Sequence, residues 1–243
     1  MLKKYQEDFI IRTCNCDMTG HWRPSAILET MQEVAGMHSE LLGLGRGALI
    51  RQNIVWILTR VEVEMDRYPA IGERITVETF PMPTRRWFFP RYFIFRDENG
   101  QEIGRAGTLW ALLDVTTRKM AAPEAANDRI PDNRDLTAPL GLPATVREVG
   151  GTLESSSFLP MFTDLDVNQH VNNTRYMDWC CNALGIDTMK ASILKQFAVN
   201  FHQEILPGQE VHTVLHREGS RFSFSGFEGD VRHFDVGGIL ENA

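Results

Sequence analysis

The densest run of polar side chains is Asp164-Leu165-Asp166-Val167-Asn168-Gln169-His170-Val171-Asn172-Asn173. A carboxylate, an amide and an imidazole occupy alternate positions at Asp166, Asn168 and His170. In an extended segment, residues two apart point the same way. This spacing therefore predicts that the three groups converge on one side, with Val167, Gln169 and Val171 on the other. Asn172, Asn173 and Thr174 follow and favour a helix start, where unpaired N–H groups are expected. A base, an amide, an imidazole and an oxyanion-binding helix end are the parts of a metal-free hydrolysis. The same composition also reads as a capping loop, because Asx side chains bond to their own backbone. A further carboxylate, Glu204, ends the alternating run Phe197, Val199, Phe201. It is either a partner of the first cluster or a solvated strand end. His202, on the opposite parity, is expected to be exposed.

Other chemistries lack their sequence signals. There is no Gly-x-Ser-x-Gly elbow, His-Glu-x-x-His, phosphate-binding loop or dinucleotide fingerprint. Cys14-x-Cys16 and the adjacent Cys180-Cys181 have the wrong spacing for zinc or redox chemistry, so no metal and no cofactor are expected. The 243 residues are 43% hydrophobic and 23% charged, which excludes a disordered chain and a disulfide-rich miniprotein. A net charge of −7 argues against nucleic acid as a partner. No apolar run reaches the ~18 residues of a membrane span. The start, MLKKYQEDF, turns acidic without a hydrophobic region, so a cytoplasmic protein is expected.

The elements that must position these groups occur twice. Asp17-Met-Thr-Gly-His21 repeats the Asp-x3-His frame of Asp166–His170 at an offset of 149. After the first frame, Ile27, Leu28, Met31, Val34, Ala35, His38, Leu41 and Leu42 form one helical stripe behind Pro24. After the second, Tyr176, Cys180, Ala183 and Leu184 do the same, with Gly185 as a stop. Alternating strands follow at 60–66 and 196–202, now at an offset of 136. Turns at Gly72 and Gly208 and further strands opened by Arg85 and Arg221 keep that offset. Asn99-Gly100 signals a hairpin into a return strand at 103–114. From Val115 to Glu154, Pro123, Pro131, Pro139 and Pro143 read as a long surface linker. The expected fold is α+β: two antiparallel sheets, each wrapping a long helix, over 1–114 and 155–243 with 115–154 between them.

The run from Asp164 to Trp179, with its Asp-x-Asn-x-His-x-Asn-Asn-x-x-Tyr string, resembles the active-site signature of the acyl-acyl carrier protein thioesterases known best from plant plastids. Asp114-Val-Thr-Thr-Arg-Lys-Met120 and Phe201-His-Gln-Glu204 are similar to further stretches of that family, so the likeness covers most of the chain. The resemblance implies a tandem double hotdog fold, in which 1–114 holds the acyl chain and is catalytically silent while 155–243 is catalytic. It implies hydrolysis of fatty acyl-acyl carrier protein, ending chain elongation. Asp166, Asn168, His170 and Glu204 match the family's catalytic aspartate, asparagine, histidine and glutamate. Asn168 and backbone N–H groups would hold the carbonyl or the water. Glu204 or Asp166 would take the proton, and His170 would orient a carboxylate or protonate the leaving thiolate; an anhydride on Asp166 stays open. The family's cysteine after the glutamate is replaced by Ile205, which excludes a thiol nucleophile there. The family's plastid leader and hydrophobic anchor are not seen, as in a bacterial member.

In the first half, Thr19 stands where the frame has Asn168. Ile27, Met31, Val34, Trp56, Trp87 and Trp110 are either walls of an acyl pocket or ordinary core. An acidic acyl carrier protein as partner would need a local basic patch, either Arg85-Arg86 with Arg91 or Arg118-Lys119. A coenzyme A thioesterase or a non-enzymatic acyl-binding protein would carry the same motif. A monomer and a homodimer both fit.

Overall fold

The computed structural model describes residues 1–242. Two compact units emerge, Met1–Trp22 with Ile27–Ala144, and Arg23–Ala26 with the chain from Thr145 on.

The first unit contains β1 (Tyr5–Ile10), α1 (Pro24–Leu41) from Ile27 on, α2 (Arg46–Ile50), β2 (Ile54–Met65), β3 (Arg74–Pro81), β4 (Phe89–Asp97), β5 (Glu102–Asp114), β6 (Lys119–Met120) and α3 (Glu124–Asn127). Its sheet runs antiparallel in the order β1-β3-β4-β5-β2. The stripe of α1 is buried against it at Ile27, Leu28, Met31, Val34, Ala35 and His38, because residues three and four apart share a helix face. Leu41 departs from the expected stripe and is exposed, since Val34, His38 and Leu42 already define the buried line at the helix end. In β2, Val61, Val63 and Met65 are buried while Glu62 and Glu64 between them stay half-buried, as the pleat requires.

The second unit contains β7 (Thr152–Phe158), α4 (Arg175–Leu184), α5 (Ile186–Ala191), β8 (Ser192–Phe201), β9 (Val211–Glu218), β10 (Arg221–Glu228) and β11 (Val231–Asn242). Its strand order, β7-β9-β10-β11-β8, is that of the first unit. Tyr176 of α4 stacks on Phe234 of β11 at 4.4 Å between ring centroids, and Trp179 stacks on Phe158 at 5.1 Å. Each unit is a hotdog fold, one antiparallel sheet against a helix.

The repetition extends to register. Phe9 pairs with Ile75 in the first unit and Phe158 with Val211 in the second, which preserves the offsets 149 and 136. The Trp22 N–H donates to Pro69 O at 2.9 Å, and the Val171 N–H donates to Ile205 O at 2.9 Å. One expected correspondence fails. Arg221 does open β10, paired with Glu218, but Arg85 lies in the turn before β4 and bonds to Phe88. The turn of the second unit is shorter, so register places Phe222 opposite Arg217 where the first unit places Arg91 opposite Pro81.

The proline-rich stretch 115–154 is partly built into the two units. β6 pairs with β5, and Ala126 of α3 is buried with Leu42, Leu44, Leu49, Phe89 and Leu112. Further on, the Val146 N–H donates to Asn200 Oδ1 at 2.7 Å and the Val149 N–H to Ser223 Oγ at 3.1 Å. Prolines keep this stretch from continuing as a strand, yet its amides find side-chain acceptors.

Candidate functional site

The Asp166–His170 segment is a tight turn and not the extended strand expected from its alternation. The Asp166 N–H donates to His170 O at 2.9 Å and the Gln169 N–H to Asp166 O at 3.0 Å, with a bridge between Leu165 and Val171 closing the turn. Asp166 folds back on its own turn: Oδ1 accepts the Asn168 N–H at 2.8 Å and Oδ2 accepts the Asn168 side-chain amide at 3.3 Å. This is the local Asx bonding that competes with a strand. Gln169 is forced to φ 65°, a conformation that glycine adopts without cost. The three groups still converge, through the turn and not through strand parity. His170 Nδ1 lies 3.4 Å from Val171 O and 3.7 Å from Asp166 Oδ1. Both neighbours are acceptors, so Nδ1 carries the proton. Val167 is exposed and Val171 buried, so they do not share a face as alternation would have it.

The expected helix-end site is largely spent. The Asn172 N–H donates to Asp164 O at 2.8 Å, and Thr174 N–H and Oγ1 both donate to Asn172 Oδ1 at 2.9 Å. Asn172 thus closes an Asx turn just before the helix that starts at Arg175, whose N-cap residue Thr174 makes no side-chain cap bond. The side chain of Asn168 is exposed, and its amide donates to Asp166 Oδ2.

Glu204 enters from the end of β8. It precedes Ile205, whose carbonyl holds the N–H of Val171, the residue after His170. One main-chain hydrogen bond therefore ties the segment that carries Glu204 to the turn. Tyr176 registers the result: its hydroxyl is pushed well above the ordinary tyrosine range by burial, and further by the charges of Asp166 and Glu204. The two carboxylates act on one phenol from segments 38 residues apart. The helical stripe marks Tyr176 as core, and its ring is core; only the tertiary structure reveals its proximity to the charged groups.

The first unit makes the same turn without the same chemistry. The Asp17 N–H donates to His21 O at 2.9 Å, the Gly20 N–H to Asp17 O at 3.1 Å and the Thr19 N–H to Asp17 Oδ1 at 2.8 Å. Thr19 Oγ1 gives its one hydrogen to Asp17 Oδ1 at 2.6 Å, so at 3.0 Å it accepts from His21 Nδ1. The bond from Trp22 to Pro69, equivalent to that from Val171 to Ile205, places Tyr68 where the second unit has Glu204. The amide and the second carboxylate are both missing.

Other expected groups sort differently. Arg91 is buried, so it does not belong to a surface patch: Nη1 donates to His38 Nδ1 at 3.0 Å and Thr79 Oγ1 at 3.2 Å. Arg85, Arg86, Arg118 and Lys119 are exposed. Trp56 packs edge-on to Phe89 at 4.9 Å and donates to Leu44 O, and it joins Trp110 beside the Leu42–Leu49 cluster; Trp87 is exposed. His202 is exposed, as its parity predicts, and donates from Nε2 to Asp235 Oδ2 at 2.7 Å. Ile205 is fully buried, and burial pushes the Cys180 thiol well up, so neither position presents a thiolate.

Residues 2–126 match the family model of the acyl-ACP thioesterase N-terminal domain, and residues 150–233 match that of the C-terminal domain. A palmitoyl-acyl carrier protein thioesterase of Arabidopsis thaliana is 26% identical over 220 residues, covering 82% of this chain and 52% of the relative. An oleoyl-acyl carrier protein thioesterase of the same plant is 24% identical, covering 82% and 59%. The chain thus spans about half the length of the plant relatives it matches. An acyl-ACP thioesterase from Bacteroides thetaiotaomicron superposes with a TM-score of 0.89 at 22% identity, covering 98% of both chains. A 12:0-ACP thioesterase from Umbellularia californica gives 0.84 at 20% identity, covering 99% of this chain and 98% of that one.

Proposed function

Because the chain belongs to the acyl-ACP thioesterase family, we propose that it hydrolyses the thioester between a fatty acyl chain and acyl carrier protein, with Asp166, Asn168, His170 and Glu204 as its catalytic groups. The observation that carries this reading is that the bond from Val171 to Ile205 brings Glu204 to the Asp166–His170 turn, whereas the equivalent bond from Trp22 to Pro69 in the first unit brings Tyr68. Both oxygens of Asp166 already accept from Asn168, so Asp166 is the anchor of the turn. Glu204 is then the base. It takes a proton from water as the water oxygen bonds to the thioester carbon. The Asn168 amide donates to the carbonyl oxygen as it gains charge. The C–S bond breaks, and the proton on Glu204 returns to sulfur, directly or by way of His170 Nε2. The products are a free fatty acid and the carrier thiol.

The first unit, 1–114 by the sequence boundaries, serves in this reading as the silent half that holds the acyl chain. Arg85-Arg86 and Arg118-Lys119 supply exposed positive charge for an acidic carrier. Four free cysteines suit a reducing, cytoplasmic setting. No helix among the described residues is long and apolar enough to cross a membrane.

The test is thiol release from a panel of acyl chains on acyl carrier protein and on coenzyme A, with Asp166→Ala and Glu204→Ala alongside. Turnover on the carrier protein that both variants lose supports the proposal. Faster turnover on coenzyme A would reassign the carrier. A folded wild-type chain that releases thiol from neither would overturn the hydrolase reading in favour of an acyl-binding protein.

A further inference from the structure

His233, on β11, is fully buried, and its imidazole is not part of the catalytic set described above. Its Nδ1 lies 3.1 Å from Glu204 O and 3.3 Å from Gln203 O. Carbonyl oxygens only accept, so Nδ1 carries the proton and divides it between the two. Its own carbonyl accepts the N–H groups of His202 at 2.9 Å and Gln203 at 3.2 Å. Nε2 has no hydrogen-bond partner among the described residues, and Glu228 Oε2 lies 3.8 Å away. One residue thus grips the strand end at 202–204 by main chain and side chain together.

The first unit separates what the fold needs from what the side chain adds. There Ile103 O accepts the N–H groups of Asp66 at 2.9 Å and Arg67 at 3.3 Å, the same pair of bonds. Ile103 is buried, as His233 is. The corner therefore forms with an aliphatic residue at this place. The imidazole occurs in the unit where the corner carries Glu204, and an isoleucine occurs where it carries Tyr68. A histidine that only filled core would be a poor choice, since burying an imidazole costs free energy that an isoleucine avoids.

We infer that His233 is a positioning residue for Glu204: its Nδ1–H holds the carbonyls of Gln203 and Glu204 and so sets the direction in which the Glu204 side chain leaves the main chain just beyond β8. The inference rests on the proposed hydrolysis with Glu204 as base. Misplacing a base by about 1 Å costs on the order of 100-fold in rate.

The experiment compares wild type, His233→Ile, His233→Asn, Glu204→Gln and the double variant His233→Ile/Glu204→Gln, all as the full chain. Isoleucine is the residue that the first unit accepts here, so folding is expected to persist. Asparagine restores a donor near the Nδ1 position. The expected result for His233→Ile is a kcat lower by about 10- to 100-fold with KM changed less than about threefold. His233→Asn recovers most of the loss. The double variant is no slower than Glu204→Gln, because the two changes act through one group. Amide hydrogen exchange of 202–206 is faster in His233→Ile and restored in His233→Asn. An unaltered kcat in folded His233→Ile overturns the inference, as do losses that multiply in the double variant. If the wild type releases no thiol, the hydrolase reading fails, and exchange at 202–206 then decides the positioning separately: unchanged exchange in His233→Ile overturns it.

Discussion

His38 offers a quantitative test of the buried polar chemistry in the first unit. It sits near the end of α1 with no solvent exposure. Arg91 can only donate, so His38 Nδ1 accepts from Arg91 Nη1 at 3.0 Å, and Nε2–H must then donate to Leu2 O at 3.0 Å. The ring is thereby held neutral, and burial, reinforced by the Arg91 charge, lowers its pKa from 6.5 to about 4. The groups facing the ring are Arg91 and the stacked phenol of Tyr5 at 6.1 Å. Arg91, itself lowered by burial to about 10, stays charged throughout the window. Below pH 6.5 the unfolded chain binds a proton at His38 that the folded chain refuses down to about pH 4. Stability conferred by neutral His38 is therefore complete above pH 6.5 and lost as the pH falls towards 4. At about 1.4 kcal/mol per pKa unit the loss is about 3 kcal/mol. Urea unfolding of wild type and His38→Gln between pH 4 and 7.5 measures it. The stability of wild type relative to the variant should fall by about 3 kcal/mol on acidification, because other titrating groups cancel in the difference. A difference constant to within about 0.5 kcal/mol would refute the assignment of a neutral, donor-fixed ring.

Three further outcomes are expected. Asp166→Ala should lower kcat/KM at least ~100-fold in a thiol-release assay, because the turn loses both the anchor of Asn168 and the carboxylate beside His170; its cost in chemical denaturation should stay near 1 kcal/mol, the usual worth of an Asx bond. At Gln169, with φ 65°, Gln169→Gly should change stability by less than about 1 kcal/mol and Gln169→Val should lose about 1–2 kcal/mol in the same assay. Iodoacetamide applied to the native protein should label exposed Cys14 and spare Cys180, whose thiol is buried and held protonated; comparable labelling of both by mass spectrometry would contradict that placement.

Much of the fold was legible because its signals are local and repeated. The offset of 149 between the two Asp-x3-His frames survives in the structure as identical turn hydrogen bonds, since an Asx turn is closed within a few residues. The stripes of α1 and α4 and the alternation in β2 and β8 were readable for the same reason. Errors arose where a longer-range choice intervened. Alternation at Asp166, Asn168 and His170 suggested a strand, but the Asp166 carboxylate preferred its own turn. Arg91 looked like surface charge, but the β3–β4 turn is longer than its counterpart, which carries the arginine inward to the place that Phe222 takes in the second unit.

The order of residues alone shows the chemistry on offer: which segment carries a carboxylate, an amide and an imidazole, that its frame occurs twice, and that one copy lacks the amide. Which other groups come near that turn depends on long-range contacts. Glu204 is 34 residues beyond His170 in the chain, and Tyr176 and His233 belong to other elements again. They are brought near by the bond from Val171 to Ile205 and by the register of β11 on β8, which pairs Phe234 with Phe201 and so sets His233 at the end of β8. Register is set by burial of one whole sheet face at once, a sum over many residues that no short motif contains.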